Sequence, residues 1–217
     1  NKNMAYMVKG SVAIARDLFQ KGRIDGIAGL GGTSNVTIIS LVMKELPFGF
    51  PKLMLTSSAA NPALAHRFFA DKDIAIFHSC VSINGLNSFV KDVLKRFAGM
   101  IIGMAVSGKA EGLRDHTKVA LTEFKFSSHC AGRVRDLLEE KGLEVVSFSA
   151  TGAGDRIMED MASEGYFKGI VDIVPSGLSE ALLGGNRSSG LNRLDRELSL
   201  GIPVILTPSG FDMISCG

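Results

Sequence analysis

Apolar residues along this chain fall into two alternating rhythms. Met4, Met7, Val8, Val12, Ala15, Leu18 and Phe19 recur at helical spacing and predict an opening helix. Ile27–Leu30 is a short apolar run closed by glycines and predicts a buried strand. Residues 36–46 read as an apolar helix, and Lys52–Thr56 and 74–78 as two further strands. Phe89, Val90, Val93, Leu94, Phe97 and Ile101 mark a second long helix. The longest uninterrupted apolar run, 97–106, falls well short of the roughly 20 residues a membrane span needs, and reads as a buried helix.

The alternation continues downstream. Strands are predicted at 118–122, Glu144–Ser149, 170–174 and 204–207, with helices at 130–141, 155–164, 179–183 and 193–200. Strands alternating with helices predict an α/β fold, a parallel sheet covered on both faces. We expect two Rossmann-like parallel-sheet units in tandem, 1–112 and 113–217, with the polar stretch 107–117 as their boundary. A weak internal echo supports the pairing. Gly22-Arg23-Ile24-Asp25-Gly26 and Gly165-Tyr166-Phe167-Lys168-Gly169 each lead into an apolar strand, and Gly49-Phe50-Pro51 and Gly201-Ile202-Pro203 each open another. A glycine after a helix and a proline before a strand are also ordinary punctuation in any βαβ chain.

Composition removes several classes of function. The 217 residues carry 24 Lys+Arg against 22 Asp+Glu, a net charge of +2, so no broad polyanion-binding surface is expected. Aromatics make up 7% with no tryptophan, which argues against a stacking platform for single-stranded nucleic acid. Neither a nucleic-acid partner nor a membrane is expected. The opening residues, Asn1 to Met4, lack the shape of a signal peptide, and Cys80, Cys130 and Cys216 are odd in number with no zinc spacing. A reducing cytoplasm is the expected location.

Four stretches invite a chemical reading. Gly29-Leu30-Gly31-Gly32-Thr33-Ser34-Asn35 follows a strand and precedes a helix. Its glycines bring backbone N–H groups close to a ligand, and its hydroxyls and helix N-terminus favour an anion; equally, it is a tight turn with Thr33 or Ser34 as N-cap. Thr151-Gly152-Ala153-Gly154-Asp155-Arg156 sits in the same context. There Asp155 is either a Mg²⁺ ligand or a helix cap, since a bare carboxylate repels phosphate unless a metal or Arg156 intervenes. Residues 103–110 imitate GxxxxGK[ST], but Ala110 replaces the hydroxyl and the stretch ends a helix instead of opening one. Ser127-Ser128-His129-Cys130 places a thiol at a helix start, as a nucleophile or as a small residue of the first turn. His66, His78 and His116 have no partner at metal-ligand spacing and read as surface or core-edge residues, and Asp172 and Glu180 have no acid close enough in sequence to form a dyad.

One ordered set of motifs goes further. Gly29-Leu30-Gly31-Gly32, Leu46-Pro47-Phe48-Gly49-Phe50-Pro51, Asn84-Gly85-Leu86-Asn87, Ala150-Thr151-Gly152-Ala153-Gly154, Arg193-Leu194 and Gly201-Ile202-Pro203 together resemble the tomato mosaic virus resistance protein family. The resemblance runs collinearly over nearly the whole chain. It implies two Rossmann-type domains, ATP binding, dimers, and in the plant member a partner among viral replication proteins. Carried over by motif, Gly29, Gly31, Gly32, Thr33 and Ser34, with Thr56, Ser57 and Ser58 after the next strand, would line a nucleotide cleft. Thr151, Gly152 and Gly154 would line the cleft of the second domain. Departures fall in these loops: Ser34-Asn35-Val36 stands where a second Gly-Gly-Thr is expected, Gly154-Asp155 where a glycine pair is expected, Ser82 in place of aspartate, and Ser127-Ser128-His129 in place of Thr-Thr-Pro. The resemblance also implies that opening βα units of the first domain and closing units of the second lie outside these residues. Exposed strand edges would then favour self-association or a second chain.

The combined reading is a nucleotide-binding protein, for ATP with Mg²⁺ or for a phosphometabolite. The alternatives are a small-molecule hydrolase or lyase with Cys130 or a serine as nucleophile, and an interaction module without catalysis.

Overall fold

A computed structural model of the chain describes residues 2–107 and 117–216. The chain divides into two compact units, 1–111 and 112–217. The first contains α1 (Lys2–Gln20), β1 (Ile27–Leu30), α2 (Thr33–Met43), β2 (Lys52–Thr56), α3 (Pro62–Phe69), β3 (Ala75–His78) and α4 (Ser88–Val106). Its three strands are parallel in the order β1-β2-β3, with Ile27 beside Lys52 and Leu53 beside Ala75. The central strand β2 is buried at every position, which is why it reads as a continuous apolar run from Leu53 to Leu55. Val36, Met43 and Phe68 from α2 and α3 pack with Met54 and Ile74. Val93 and Phe97 of α4 pack with Leu53 and Leu55.

Two expectations change here. The hydrophobic pattern does not predict helix α3, although its start signal is in the sequence. The Asn61 side chain accepts the N–H groups of Ala63 and Leu64, and Pro62 occupies the first turn, where its missing N–H costs nothing. The apolar run 97–106 is helical, but of its residues only Phe97 is buried. Only the stripe through Val90, Val93 and Phe97 is buried, and Ile102 and Val106, off that stripe, are 62% and 78% exposed.

The second unit contains β4 (Lys118–Glu123), α5 (Ser128–Glu139), β5 (Glu144–Ser149), α6 (Ala153–Ser163), β6 (Gly169–Asp172), α7 (Gly177–Leu183), α8 (Asp195–Ser199) and β7 (Val204–Leu206). Its four strands are all parallel in the order β5-β4-β6-β7. Val119 and Leu121 of β4 and Val171 of β6 pack with Ala131 of α5, Ala150, Ile173 and Val174 in its core. The chain reverses its direction of growth between β4 and β6, where open parallel sheets form a crevice at the carboxyl ends of the strands. The α/β class, with two parallel sheets flanked by helices, is the one the alternation predicts.

The sequence echo has a local structural counterpart. Gly22 and Gly165 end helices with φ of 61° and 83°, in the left-handed region that favours glycine. Gly26 and Gly169 then pack against the proline that opens the neighbouring strand: Ile27 N–H donates to the Pro51 carbonyl at 2.8 Å, and Ile170 N–H to that of Pro203 at 2.9 Å. Among the described residues no helix is long and apolar enough to cross a membrane.

Candidate functional site

In the first unit the two predicted loops meet at the carboxyl edge of the sheet. After β1, Gly31 N–H donates to the Leu55 carbonyl at 3.1 Å, tying the loop to β2. Gly32 is the N-cap of α2 and has no side chain with which to cap it, so neither Thr33 nor Ser34 fills that role. The first-turn N–H groups of an eleven-residue helix thus face outward beside the exposed Thr33 and Ser34. From β2, Thr56 is buried and its hydroxyl accepts the Ser58 N–H at 3.1 Å, starting the 3-10 turn Ser57–Ala60. That turn carries the Ser58 hydroxyl to 2.7 Å from the Thr33 hydroxyl, while Ser57 is exposed.

The three glycines of this loop have different jobs. A Cβ on Gly29 would lie 2.5 Å from Ile39, and one on Gly31 would lie 2.7 Å from the Asn35 Cβ, so both are glycine because α2 packs against them. A Cβ on Gly32 would meet nothing within 4 Å. Gly32 is therefore the glycine of the three that faces open space.

The loop of the second unit is built differently. Gly152 has φ of 83°, and a Cβ there would lie 2.5 Å and 2.7 Å from the carbonyl oxygens of Ser188 and Arg187. A Cβ on Gly154 would lie 2.0 Å from the Ser149 carbonyl. These glycines admit the chain's own backbone. Thr151 is exposed and its N–H donates to Ser149 at 2.8 Å, and Arg156 donates to the Ser188 carbonyl at 3.0 Å. Asp155 is 1% exposed, and its Oδ2 accepts the N-cap N–H of Gly152 at 2.8 Å, which is the capping role. Its Oδ1 faces the Arg193 guanidinium at 3.5 Å.

Arg193 is the centre of a buried ionic cluster, three of whose four carboxylates lie far from it in sequence. Its Nη1 donates to Glu159 and to Glu197, each at 2.9 Å, and its Nη2 donates to Asp172. Thr122 on β4 donates to Asp172 on β6 and itself accepts the Val174 N–H at 3.0 Å. Four carboxylates thus surround the Arg193 guanidinium, all of them buried. Burial raises the Asp155 carboxyl to about 6 and that of Glu197 to about 7, in each case against the pull of Arg193. Burial also raises Asp172. Arg193 Nε and Glu197 Oε1 are buried with no hydrogen-bond partner among the described residues. Glu180 organises a second, smaller set: its Oε1 accepts from Arg187 Nε at 2.9 Å and from Ser215 N–H at 3.0 Å, and the Arg187 guanidinium lies 4.5 Å from the Phe124 ring centroid.

The remaining candidates disperse. Cys130 lies exposed in the first turn of α5, and no described residue hydrogen-bonds its thiol. His66 packs edge-on against Phe69. Residues 108–110 of the P-loop imitation, His116 and most of the 107–117 boundary lie outside the described residues. Among the described residues no three His, Cys, Asp or Glu side chains are placed to hold a metal ion.

Comparison with known proteins decides the family. The N-terminal domain of the uncharacterised protein family UPF0261 matches residues 1–110, and its C-terminal domain matches 116–217. The chain belongs to the UPF0261 family. A UPF0261 protein of Clostridium tetani is 35% identical over 99% of this chain and 52% of its own length. The ToMV resistance protein Tm-1(GCR237) of Solanum lycopersicum is 30% identical over 99% of this chain and 28% of its own length. A UPF0261 protein of Brucella suis is 29% identical over 97% of this chain and 50% of its own length. This UPF0261 chain therefore spans about half the length of the bacterial relatives it matches, and less of the tomato protein. The resemblance read from the glycine loops and the Gly-x-Pro pairs holds at the level of the family.

Proposed function

We propose that the N-terminal unit of this UPF0261 chain binds the phosphates of a nucleotide, ATP foremost, at the amino end of α2. One observation carries the reading: an uncapped helix N-terminus opens at the carboxyl edge of a parallel sheet, with the Thr33 and Ser58 hydroxyls converging to 2.7 Å beside it. Backbone N–H groups and the helix dipole favour an anion there, and each hydrogen bond to a charged oxygen is worth about 1.5–3 kcal/mol. In this reading Mg²⁺ arrives as the counter-ion of the nucleotide, since Asp155 is committed to Gly152 and Arg193. A phosphometabolite offers the same anion to the same groups.

Isothermal titration of ATP, with and without Mg²⁺, into the chain and into a full-length relative tests the reading. A bulky side chain at Gly32 meets open space in the fold yet stands where the phosphate would sit. Gly32→Phe should abolish saturable binding while leaving the circular dichroism spectrum intact; unchanged affinity in the folded variant would refute the reading.

A second reading is an interaction module, and exposed apolar side chains favour it. Tyr6, Met7 and Ile14 on α1 and Ile102 and Val106 on α4 are all exposed. Self-association through such surfaces would give a dimer or larger oligomer in light scattering, independent of ATP.

A further inference from the structure

A cysteine and a histidine meet at the end of β3, where the sequence showed only two unrelated residues. Cys80 Sγ lies 3.6 Å from His78 Nδ1, hydrogen-bonding distance for sulfur. The contact is made in a turn that follows the strand. Ser79 is buried, its hydroxyl donates to the Val81 carbonyl at 2.7 Å, and Val81 N–H donates to the Ser79 carbonyl at 2.6 Å. Cys80, at the apex of that turn, takes φ of 58°, a left-handed conformation uncommon for a residue other than glycine. Ser79 N–H donates to the Thr56 carbonyl at 3.3 Å, which fixes the turn to the carboxyl edge of β2. Both Cys80 and His78 are exposed, so a reagent from solvent can reach the sulfur.

We propose that Cys80 is a nucleophilic thiol, with His78 as its proton acceptor, and that it forms a mixed disulfide with small soluble disulfides. In the tautomer protonated at Nε2, His78 Nδ1 accepts the thiol proton. Cys80 Sγ attacks one sulfur of the disulfide; a new S–S bond forms as the old one breaks. The departing thiolate carries off the electron pair and takes the proton from the imidazolium. Cys80 is oxidised to the mixed disulfide, and half of the reagent is reduced to a free thiol. The inference does not rest on nucleotide binding.

The chain supplies its own controls, because Cys130 and Cys216 are also exposed. The chain is incubated with oxidised glutathione at pH 7, quenched with acid, and the thiolation of each cysteine is followed by peptide mass spectrometry. Cys80 should be thiolated at least about tenfold faster than Cys130 and Cys216. His78→Asn should bring the Cys80 rate down to that of the two controls at pH 7. At pH 9.5, where an ordinary thiol ionises without help, the variant and the parent should converge. Far-UV circular dichroism establishes that His78→Asn is folded, and Cys80→Ser should lose the fast-reacting site alone. Equal rates at all three cysteines would overturn the proposal. So would a Cys80 rate at pH 7 that survives His78→Asn, or one that falls equally at both pH values, which would mark a structural role for the histidine.

Discussion

Replacing Arg193 by methionine removes the cation that, among the described residues, faces four buried carboxylates. Arg193 and Glu197 are 1% and 0% exposed, and Asp155, Glu159 and Asp172 are buried with them, so water does not replace the lost partner. Breaking a buried ion pair by removing one member costs about 3–5 kcal/mol, because it leaves an uncompensated charge. A domain of this size has roughly 5–15 kcal/mol of stability in total, so the loss is a large fraction of it. The cost has a definite pH dependence. In the parent, Asp155 titrates at about 6 and Glu197 at about 7 in the folded state, above their ordinary values of 3.8 and 4.5. Between those limits the native state holds more protons than the unfolded one, so stability falls as pH rises from about 4 to 7. At about 1.4 kcal/mol per unit, each group alone contributes on the order of 3 kcal/mol, and less together because they share Arg193. Without the arginine the carboxyls hold their protons more tightly, so the deficit of Arg193→Met should be smallest near pH 5 and largest near pH 8. Tyr166 is buried in the second unit and Tyr6 is exposed in the first, so the near-ultraviolet dichroism of tyrosine during urea unfolding follows the second unit. A deficit under about 1 kcal/mol at pH 8, or one that shrinks as pH rises, would refute the reasoning.

Other perturbations give graded outcomes. Gly154→Ala drives a Cβ to 2.0 Å from a backbone oxygen and should destabilise the second unit by about 2–3 kcal/mol, whereas Gly32→Ser, with open space around it, should leave thermal unfolding nearly unchanged. Lys52→Met deletes the donor that reaches the Pro47 and Phe50 carbonyls and Asp73 from a fully buried position, and should cost the first unit about 3 kcal/mol in denaturant titration. Asn87→Ala removes the side chain that accepts Val90 N–H at 3.0 Å and should cost about 1 kcal/mol by the same titration.

Strands were the most legible part of the sequence. Ile27–Leu30, Lys52–Thr56 and Glu144–Ser149 stand where the hydrophobic pattern places them, but of these only β2 is buried at every position and carries the apolar run of a central parallel strand. β1, expected as a buried strand, alternates between half-buried and exposed positions because it is an outer strand of its described sheet, and β5 is an outer strand too. Helix α3 was missed because its eight residues are too few for a period to show, although the Asn61-Pro62 start was readable. The two glycine loops looked alike in sequence and differ in space. A glycine that admits Arg187 and Ser188 and one that faces open space have the same letter, and only the fold separates Gly152 from Gly32. The Arg193 cluster was invisible for another reason: Glu197 lies only four residues from Arg193, but Asp155 and Glu159 on α6 and Asp172 on β6 reach the arginine only through tertiary packing. Likewise, nothing local in Phe77-His78-Ser79-Cys80 announces the left-handed turn that folds the thiol back on the imidazole.

The central claim is that phosphate sits at the amino end of α2. The most direct measurement is an amide chemical-shift titration of the isotopically labelled chain with ATP and Mg²⁺. The largest shifts should fall on the N–H groups of Gly32, Thr33, Ser34 and Ser58, saturate together, and vanish in Gly32→Phe. Saturable shifts centred elsewhere, or no shifts at millimolar ATP, would contradict the claim.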